Sequence, residues 1–433
     1  MKKHTLHYFA LLALVSLLAG CGSLPTDFEK PVSRALEDTS ESQLVRNLQP
    51  LLAEHPGKSG FRTLDSGEEA FIARLRMIQS ATQSLDVQYY IWHDDLTGRG
   101  LYNQLMAAAD RGVRVRILLD DLDTAGKDQM LRTIDAHPDI EIRVFNPFAN
   151  RESRLHDFIG DTRRINRRMH NKTMTVDNIA TVFGGRNIGD EYFAAAADVG
   201  FGDMDALAIG PIANEVSDQF DLYWNSEWAY PISAFAWKQA ISEADFEAFR
   251  ADSDAFVAEA RKSEYADVIR QYNPEKIDRI SELDWVWSEW LLAYDQPSKV
   301  QAKKVAAETH LAPKLKMGMD RTQRDLIIVS PYFVPGETLT QYLVGLVDRG
   351  VRVRILTNSL QANDVSLVHA GYMRYRKPLI SGGVELYEYK ADANKVVRKQ
   401  RKEQQDKNRI GASKASLHAK FFGFDEKYLF IGS

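Results

Sequence analysis

The stretch Met169-His-Asn-Lys-Thr-Met-Thr-Val-Asp177 recurs later in this 433-residue chain as Leu417-His-Ala-Lys-Phe-Phe-Gly-Phe-Asp425. Both copies contain a histidine, a lysine two residues later and an aspartate five residues after the lysine, in an apolar setting typical of a strand. Residues i and i+2 of a strand point to the same face, so each histidine projects beside its lysine. Two copies with matching surroundings are much rarer by chance than one. They predict a duplicated unit that carries chemistry.

A longer repeat surrounds the two motifs. The segment Asp110-Arg-Gly-Val-Arg-Val-Arg-Ile-Leu118 returns as Asp348-Arg-Gly-Val-Arg-Val-Arg-Ile-Leu356, and an aromatic strand precedes each copy. In both segments a helix ends at glycine and a strand begins, which predicts a strand–helix–strand unit in each half. The predicted fold class is therefore α/β. We expect two similar domains, each a sheet flanked by helices, packed about a pseudo-two-fold axis with one active site at their interface.

The domain organisation follows from composition and from the positions of the repeats. Tryptophans 285, 287 and 290 alternate as in a strand with one aromatic face, which either packs against the core or contacts lipid. The charged stretch from Lys395 to Lys414 reads as a loop at the mouth of the second motif. The predicted parts are a signal peptide (1–20), a polar tether (21–60) with a short helix near 41–54, a first domain (61–232), a mostly helical linking segment (233–320) and a second domain (321–433).

The paired motifs resemble those of the phospholipase D superfamily, and the resemblance covers most of the chain from about Phe61 onward. Within the superfamily the sequence is most similar to bacterial cardiolipin synthases of the C-type branch. Members of the superfamily continue beyond Gly432-Ser433, so we expect this chain to lack C-terminal elements. The stretches that carry the resemblance to the C-type branch are Val87 to Trp92, Arg168 to Lys172, Gly184 to Phe193, Asn358 to Asp364 and Gly383 to Tyr389.

The resemblance implies two-step displacement at a phosphodiester, which also suits the chemistry of the residues. A neutral imidazole can attack phosphorus to give a phosphohistidine, while a second imidazole protonates the leaving alcohol and then deprotonates the acceptor. Two ammonium groups stabilise the charge on the phosphate oxygens, so no cofactor and no metal is implied. The resemblance favours His170 as nucleophile and His418 as acid and base. The candidate catalytic residues are His170, Lys172, Asp177, His418, Lys420 and Asp425.

Several further residues complete the candidate site. Asn187 would donate a hydrogen bond to the phosphate oxygens held by Lys172 and Lys420. Asp203 or Asp205 would orient an imidazole or form a salt bridge at a strand edge. Because turn-forming or charged residues follow Asp177 and Asp425, we expect these two aspartates to brace hairpins and not to touch substrate.

The implied function is phosphatidyl transfer that joins phosphatidylglycerol to a second phospholipid, such as phosphatidylethanolamine, to give cardiolipin. A hydrolase that releases phosphatidic acid, a nuclease and a non-catalytic lipid-binding lipoprotein are the alternatives. The net charge of −5 argues against a general affinity for nucleic acid. The sequence leaves open whether an accessory protein is required.

The N-terminus predicts a location in the bacterial cell envelope. Two lysines precede an apolar run, and Leu18-Ala-Gly-Cys21 resembles the lipobox of bacterial lipoproteins, with lipid attached at Cys21. Gly22 in place of aspartate favours the periplasmic side of the outer membrane over the inner membrane. Two basic clusters either attract anionic headgroups or are solvated loop charge, namely Arg163, Arg164, Arg167 and Arg168, and Lys395, Arg398, Lys399, Arg401 and Lys402.

Overall fold

A computed structural model describes residues 23–152, 154, 157, 161–196, 199–235, 237, 239–271, 280–301, 311–363, 365–391 and 414–433. The predicted signal peptide, Cys21 and the basic cluster between Lys395 and Lys402 lie outside these residues. Within the described part of the chain, no helix has both the length and the apolar character needed to cross a membrane.

Sixteen strands are described, and they form one sheet of nine strands, one of five and one of two. The nine-stranded sheet has the order β10-β1-β8-β6-β5-β2-β3-β4-β9, and the five-stranded sheet has the order β13-β12-β11-β15-β16. The strands are β1 (Ser59–Leu64), β2 (Ser84–Tyr89), β3 (Arg114–Asp120), β4 (Ile140–Phe145), β5 (Thr173–Val176), β6 (Ala180–Gly184), β7 (Val199–Gly202), β8 (Asp205–Ile209), β9 (Ala229–Pro231), β10 (Val286–Ser288), β11 (Asp325–Val329), β12 (Arg352–Asn358), β13 (Glu385–Tyr389), β14 (Lys414–Leu417), β15 (Lys420–Phe424) and β16 (Tyr428–Gly432).

The two larger sheets share a five-stranded core. The order β4-β3-β2-β5-β6 in the first sheet is matched by β13-β12-β11-β15-β16 in the second. The strand directions also agree, because the first three strands of each core are parallel and the last two pair antiparallel. The repeat seen in the sequence is therefore a repeat of topology, and the prediction of two similar α/β domains is confirmed.

Helices cover both faces of the first sheet. Alternate residues of β2, such as Leu85 and Val87, enter the main apolar cluster, while Leu118 and Phe145 pack on the opposite face against Trp224. The described helices are α1 (Gln43–Ala53), α2 (Gly67–Ser80), α3 (Leu96–Ala109), α4 (Asp128–Asp135), α5 (Thr162–Ile165), α6 (Pro211–Trp224), α7 (Glu243–Ala260), α8 (Glu264–Gln271), α9 (Ala312–Arg321), α10 (Gly336–Asp348) and α11 (Ser366–Ser381).

The second sheet uses its two faces differently. Leu326 and Ile328 of β11 join a cluster with residues of α9, α10 and α11. On the other face, Val329 packs with Leu417 and Ala419, and Met204 of the first half joins them. The alternation along β11 therefore places one face against helices and the other against the first half of the chain.

The segment expected to be a tether instead packs on the first domain. Lys30 donates a hydrogen bond to the Ser226 carbonyl over 2.7 Å, and buried Arg116 donates to the Ser33 carbonyl over 3.0 Å. The expected short helix is present as α1, and Ser42 caps its first turn. Backbone carbonyls of this segment accept hydrogen bonds from buried arginines of the domain, which holds the segment against it.

The tryptophan-rich stretch forms an edge strand of the first sheet. As predicted it is a strand, and β10 pairs antiparallel with β1. The Trp287 ring stacks on His55 with 4.1 Å between ring centroids, and Trp285 and Trp287 both pack on the main apolar cluster. The contacts favour packing over lipid contact for these two rings.

The aspartate that ends each motif braces a hairpin. Asp177 and Asn178 form the turn between β5 and β6 with φ of 46° and 52°, and Asp425 and Glu426 form the equivalent turn with φ of 55° and 56°. Two consecutive left-handed residues are typical of a type I′ turn. From this position each carboxylate reaches back to the start of the neighbouring strand. It accepts hydrogen bonds from three backbone amides, at residues 82–84 for Asp177 and 323–325 for Asp425.

The two turns provide a matched pair for mutation. Asp177 is fully buried and also accepts a hydrogen bond from Ser42, whereas Asp425 lies in a more exposed turn. We expect Asp177→Ala to lower the free energy of unfolding by about 3 kcal/mol or more, because buried amides lose their acceptor. For Asp425→Ala we expect about 1 kcal/mol or less, because water replaces the carboxylate. Denaturant unfolding of both variants checks this, and equal losses would show that burial does not distinguish the two turns.

Candidate active site

Both motif histidines line one cavity between the two halves of the chain. The cavity has a volume of about 270 Å³. Its wall combines residues of the first half with residues of the second, so that neither half encloses it alone. The lining residues are Tyr90, Ile91, His170, Asn187, Tyr192, Tyr332, Val365, Val368 and His418.

The two His-Lys pairs have nearly the same geometry. The Lys172 ammonium donates a hydrogen bond to the His170 carbonyl over 2.7 Å and lies 3.1 Å from the ring nitrogen Nδ1. The Lys420 ammonium donates to the His418 carbonyl, also over 2.7 Å, and lies 3.3 Å from both ring nitrogens. As the spacing predicted, each lysine therefore stands beside its own histidine. The site concentrates positive charge, as the binding of a phosphate requires.

Asp203 comes from the first half and contacts the histidine of the second. Its carboxylate lies 2.6 Å from Nδ1 of His418, and both side chains are buried. Because a carboxylate accepts, this contact places a proton on Nδ1 of His418 and leaves Nε2 as the nitrogen that can exchange a proton with substrate. Asp205, the other candidate, forms a buried ion pair with Arg74 at 2.8 Å. The structure thus separates the two roles that the sequence left open for these aspartates.

The Gly184-Gly185 step allows Asp203 and Asp205 to approach. A Cβ atom on Gly185 would lie 2.1 Å from a carboxylate oxygen of Asp203, and one on Gly184 would lie 2.4 Å from an oxygen of Asp205. The next residue, Arg186, is buried and donates to the Asp203 carbonyl over 2.6 Å. These three residues fix the segment that carries Asp203.

A two-stranded parallel sheet joins the halves beside this contact. β7 of the first half pairs with β14 of the second, from Val199 with Lys414 to Gly202 with Leu417. The Gly202 carbonyl then accepts hydrogen bonds from the backbone amides of His418 and Ala419, over 2.8 and 3.0 Å. The backbone pairing therefore sets the position of His418 relative to Asp203.

Asn187 lies at the cavity wall with both ends of its amide engaged. Its Nδ2 donates to the Tyr192 hydroxyl over 2.8 Å, and its Oδ1 accepts from the Ile91 amide over 3.2 Å. The Nδ2 group carries a second proton, which remains suited to a phosphate oxygen. The predicted contact with substrate is therefore compatible with the position of this side chain.

Two residues that the sequence analysis missed hold the segments that lead into the histidines. Asp120 and Asn358 end the equivalent strands β3 and β12. An oxygen of Asp120 accepts a hydrogen bond from the Met169 amide over 2.7 Å. Asn358 accepts from the Leu417 amide and donates to the Leu417 carbonyl, each over 2.8 Å. Each side chain therefore forms hydrogen bonds to the backbone of the residue that precedes a motif histidine.

Burial and like charges lower the pKa values of the site's bases. Burial lowers the pKa of His170 well below its usual value of 6.5, and the charges of Lys172 and Lys420 lower it further. Burial and Lys420 also lower the pKa of Lys172 well below 10.5. For His418, burial again lowers the pKa, but the hydrogen bond to Asp203 opposes the shift. At neutral pH His170 is therefore a neutral imidazole, and His418 is the better of the two at holding a proton.

The charge of Asp203 is stabilised in this setting. Burial alone would raise its pKa, but the hydrogen bond with His418 and the charges of His418, Lys420 and Arg186 bring the pKa below its usual value. An ionised Asp203 favours the imidazolium form of His418. A phosphodiester anion in the cavity would favour the protonated forms of the lysines for the same reason.

Other predicted residues lie away from the cavity wall. Asp177 and Asp425 lie in the hairpin turns with their carboxylates engaged by backbone amides, so the structure places these two candidates as supports of the motif strands. In the first basic cluster, Arg164 pairs with Asp161 at 2.7 Å and Arg168 with Asp120 at 3.1 Å. These two arginines are engaged within the fold, which disfavours headgroup attraction as their main role.

One group of side chains has ligand types that suit a metal. His93, Asp95 and Glu191 have ligand atoms within 4.8 Å of one another, outside the lining of the cavity. Asp95 caps α3 through the Gly98 amide, and His93 lies 3.2 Å from Glu191. The hydrogen bond that His93 donates to the Glu191 carboxylate raises the pKa of His93. The pairing of His93 with Glu191 and the helix cap made by Asp95 account for this cluster.

The comparisons with known proteins agree with this geometry. A family profile described as "Cardiolipin synthase, PLD-like domain" matches residues 75–224 and 315–433. Cardiolipin synthase C of Escherichia coli (strain K12) is 43% identical over 396 residues, which cover 90% of this chain and 81% of the relative. Cardiolipin synthase A of Pseudomonas syringae pv. syringae (strain B728a) is 26% identical over 81% of this chain and 61% of its own length.

A solved structure shows the same fold. The phosphatidylserine synthase of Haemophilus influenzae Rd KW20 superposes with a TM-score of 0.52 at 14% identity, covering 90% of this chain and 81% of its own. At this identity the similarity extends to the fold alone. Together with the profile match and the 43% identical relative, the duplicated core and the paired motifs show that the chain belongs to the cardiolipin synthase family of phospholipase D-like proteins.

Proposed function

We propose that this protein is a phosphatidyltransferase that makes cardiolipin from phosphatidylglycerol and a second phospholipid. The observation that carries the proposal is the single cavity in which two His-Lys pairs face each other from the two halves of the chain. Two imidazoles suit a double displacement, and two ammonium groups suit a phosphodiester anion. The family of the chain gives the substrate class, and phosphatidylethanolamine is the proposed phosphatidyl donor.

The proposed reaction has two steps. In the first, the unprotonated ring nitrogen of His170 attacks the phosphorus of the donor, the bond to the headgroup oxygen breaks, and His418 gives its proton to that oxygen. Ethanolamine leaves, and a phosphatidyl group remains bonded to His170. In the second, His418 takes the proton of a phosphatidylglycerol hydroxyl, the resulting oxygen attacks phosphorus, and His170 is released as a neutral imidazole.

The electrostatics support this assignment of roles. A nucleophile must be neutral, and the lowered pKa of His170 keeps it so at neutral pH. An acid must hold a proton; burial lowers the pKa of His418, and the ionised Asp203 offsets part of this shift and so favours the protonated form. Lys172, Lys420 and Asn187 are proposed to contact the non-bridging oxygens, where charge grows in the transition state.

The N-terminal sequence supports a proposal about location. Leu18-Ala-Gly-Cys21 suits lipid attachment at Cys21 in the cell envelope, with Gly22 favouring the periplasmic side of the outer membrane. A lipid anchor would keep the cavity close to phospholipid substrates. Mass spectrometry of the mature N-terminus tests this part of the proposal, and an unmodified Cys21 would contradict it.

The proposed activity predicts a specific lipid product. In vesicles of phosphatidylethanolamine and phosphatidylglycerol, the protein without mutations should produce cardiolipin. The His170→Ala variant should form about 10⁴-fold less or lower still, because the covalent step is lost. Mass spectrometry of extracted lipids checks this. Phosphatidic acid without cardiolipin would instead indicate hydrolysis, and no product from the unmodified protein would contradict the proposal.

The Asp203 contact predicts a change in pH dependence. Because burial lowers the pKa of His418 below its usual value of 6.5, kcat/KM should fall as the pH rises through that lowered pKa and His418 loses its proton. Asp203→Asn removes the charge that favours imidazolium, which lowers the pKa of His418 and moves this falling limb to lower pH. We also expect a loss of roughly 10²-fold at neutral pH. Asp425→Asn is the matched control, since its turn lies outside the cavity. An unshifted limb in Asp203→Asn would rule out the acid role of His418.

The hydrogen bond from the Met169 amide to Asp120 predicts that mutation of Asp120 changes kcat. Asp120→Ala should lower kcat by about 10- to 100-fold with little change in KM, because a misplaced His170 still allows substrate to bind. Asp120→Asn should recover part of the loss, since it keeps one acceptor oxygen, as Asn358 does in the second half. Steady-state kinetics beside melting temperatures check this. Equal kcat values for the two variants at equal stability would contradict a positioning role.

A further inference from the structure

One helix presents apolar and basic side chains together on its exposed face. On α11, Leu367, Met373 and Ile380 are 84%, 53% and 57% exposed. Arg374 and Lys377 are exposed between them. At 100° per residue these five side chains fall on one side of the helix, opposite buried Tyr372 and Leu379. We refer to these five residues as the α11 face.

The α11 face begins at the active-site cavity. Val365 and Val368, at the start of the helix, line the cavity, and Val365 is itself 41% exposed. Val334 is 46% exposed and packs on the first turns of α11, since a Cβ atom on Gly371 would lie 3.1 Å from its Cγ1. Exposed apolar side chains therefore lie at the cavity end of the helix, at Val365 and Val334, as well as at Leu367 in its first turn.

The charges of the α11 face complement an anionic surface. Neither Arg374 nor Lys377 forms an ion pair within the described part of the chain, whereas the neighbouring Arg376 pairs with Glu388 at 3.2 Å. The whole protein carries a net charge of −5, so a local group of cations without acidic partners stands out. Basic residues interleaved with exposed leucine, methionine and isoleucine are typical of helices that lie in the interface of anionic membranes.

We propose that the α11 face docks on the surface of a bilayer that contains anionic phospholipid. The inference rests on the proposed function, because it explains how a lipid headgroup enters the cavity while its acyl chains stay in the membrane. Docking places Leu367 and Met373 among the outer acyl segments and Arg374 and Lys377 among the phosphates. The mouth of the cavity, marked by Val365, then opens onto the membrane.

Environment-sensitive fluorescence tests the docking directly. In the 433-residue chain, Cys21→Ser removes the single cysteine of the sequence, and Leu367→Cys then carries the dye. We expect the emission to shift to the blue with vesicles that contain phosphatidylglycerol, and less so with phosphatidylcholine alone or at high salt. The control is Leu291→Cys, at a residue that is 64% exposed outside the α11 face. No shift at 367, an equal shift at 291, or equal shifts with both vesicle types would overturn the proposal. A shift that depends on protein concentration without vesicles would indicate self-association instead.

Activity provides a second, independent test. The double variant Arg374→Gln with Lys377→Gln should lower cardiolipin formation in vesicles by about fivefold or more, and leave turnover of short-chain monomeric lipids unchanged. The control variant Arg261→Gln with Lys262→Gln neutralises two exposed charges elsewhere and should leave both rates unchanged. A fall with both substrates, or no fall in vesicles, would overturn the proposal. If the unmodified protein turned over neither substrate, the proposed function would fail, while the fluorescence would still report on docking.

Discussion

The contact between the Asp203 carboxylate and the His418 ring, at 2.6 Å, ties the chemistry of the second motif to the first half of the chain. The fold supports this contact from several directions. Glycine at 185 makes room for the carboxylate, Arg186 holds its backbone, and the pairing of β7 with β14 sets the position of the imidazole. Because the orienting carboxylate and the imidazole come from different halves, the site exists only when the two halves are packed together.

Duplication gives the protein two matching scaffolds, and small differences between them give the two histidines different properties. His418 has a carboxylate at its ring nitrogen, whereas the ring of His170 packs on Tyr90 with 4.5 Å between centroids. The residue before the motif histidine is hydrogen-bonded to an aspartate, Asp120, in the first half and to a neutral amide, Asn358, in the second. Two similar halves therefore give the two histidines different roles. The environment of His170 keeps its imidazole neutral, and the carboxylate beside His418 favours the protonated form of that imidazole.

Local pattern and repetition allowed the sequence to predict the duplicated core, the His-Lys pairs and the bracing aspartates. The role of Asp120 was also accessible in principle, since Asp120 lies ten residues after Asp110 and Asn358 lies ten residues after Asp348, in the two copies of the repeat. Other features depend on contacts between distant segments. Asp203 and Asp205 have similar sequence surroundings, and only the packing of Arg74 and His418 separates their partners. The ordered course of residues 23–58 likewise depends on charged partners in the domain, such as Arg116, that polar composition does not reveal.

The central claim is that one imidazole from each half acts on the same phosphorus, with His170 forming the covalent bond. The most direct measurement is to incubate His418→Ala with phospholipid vesicles, stop the reaction at alkaline pH, where phosphohistidine survives, and map the modified peptide by mass spectrometry. The account predicts a phosphatidyl adduct on the peptide that contains His170, and none in the His170→Ala protein. An adduct on His418 in the His170→Ala protein, together with no adduct on His170 in the His418→Ala protein, would contradict it.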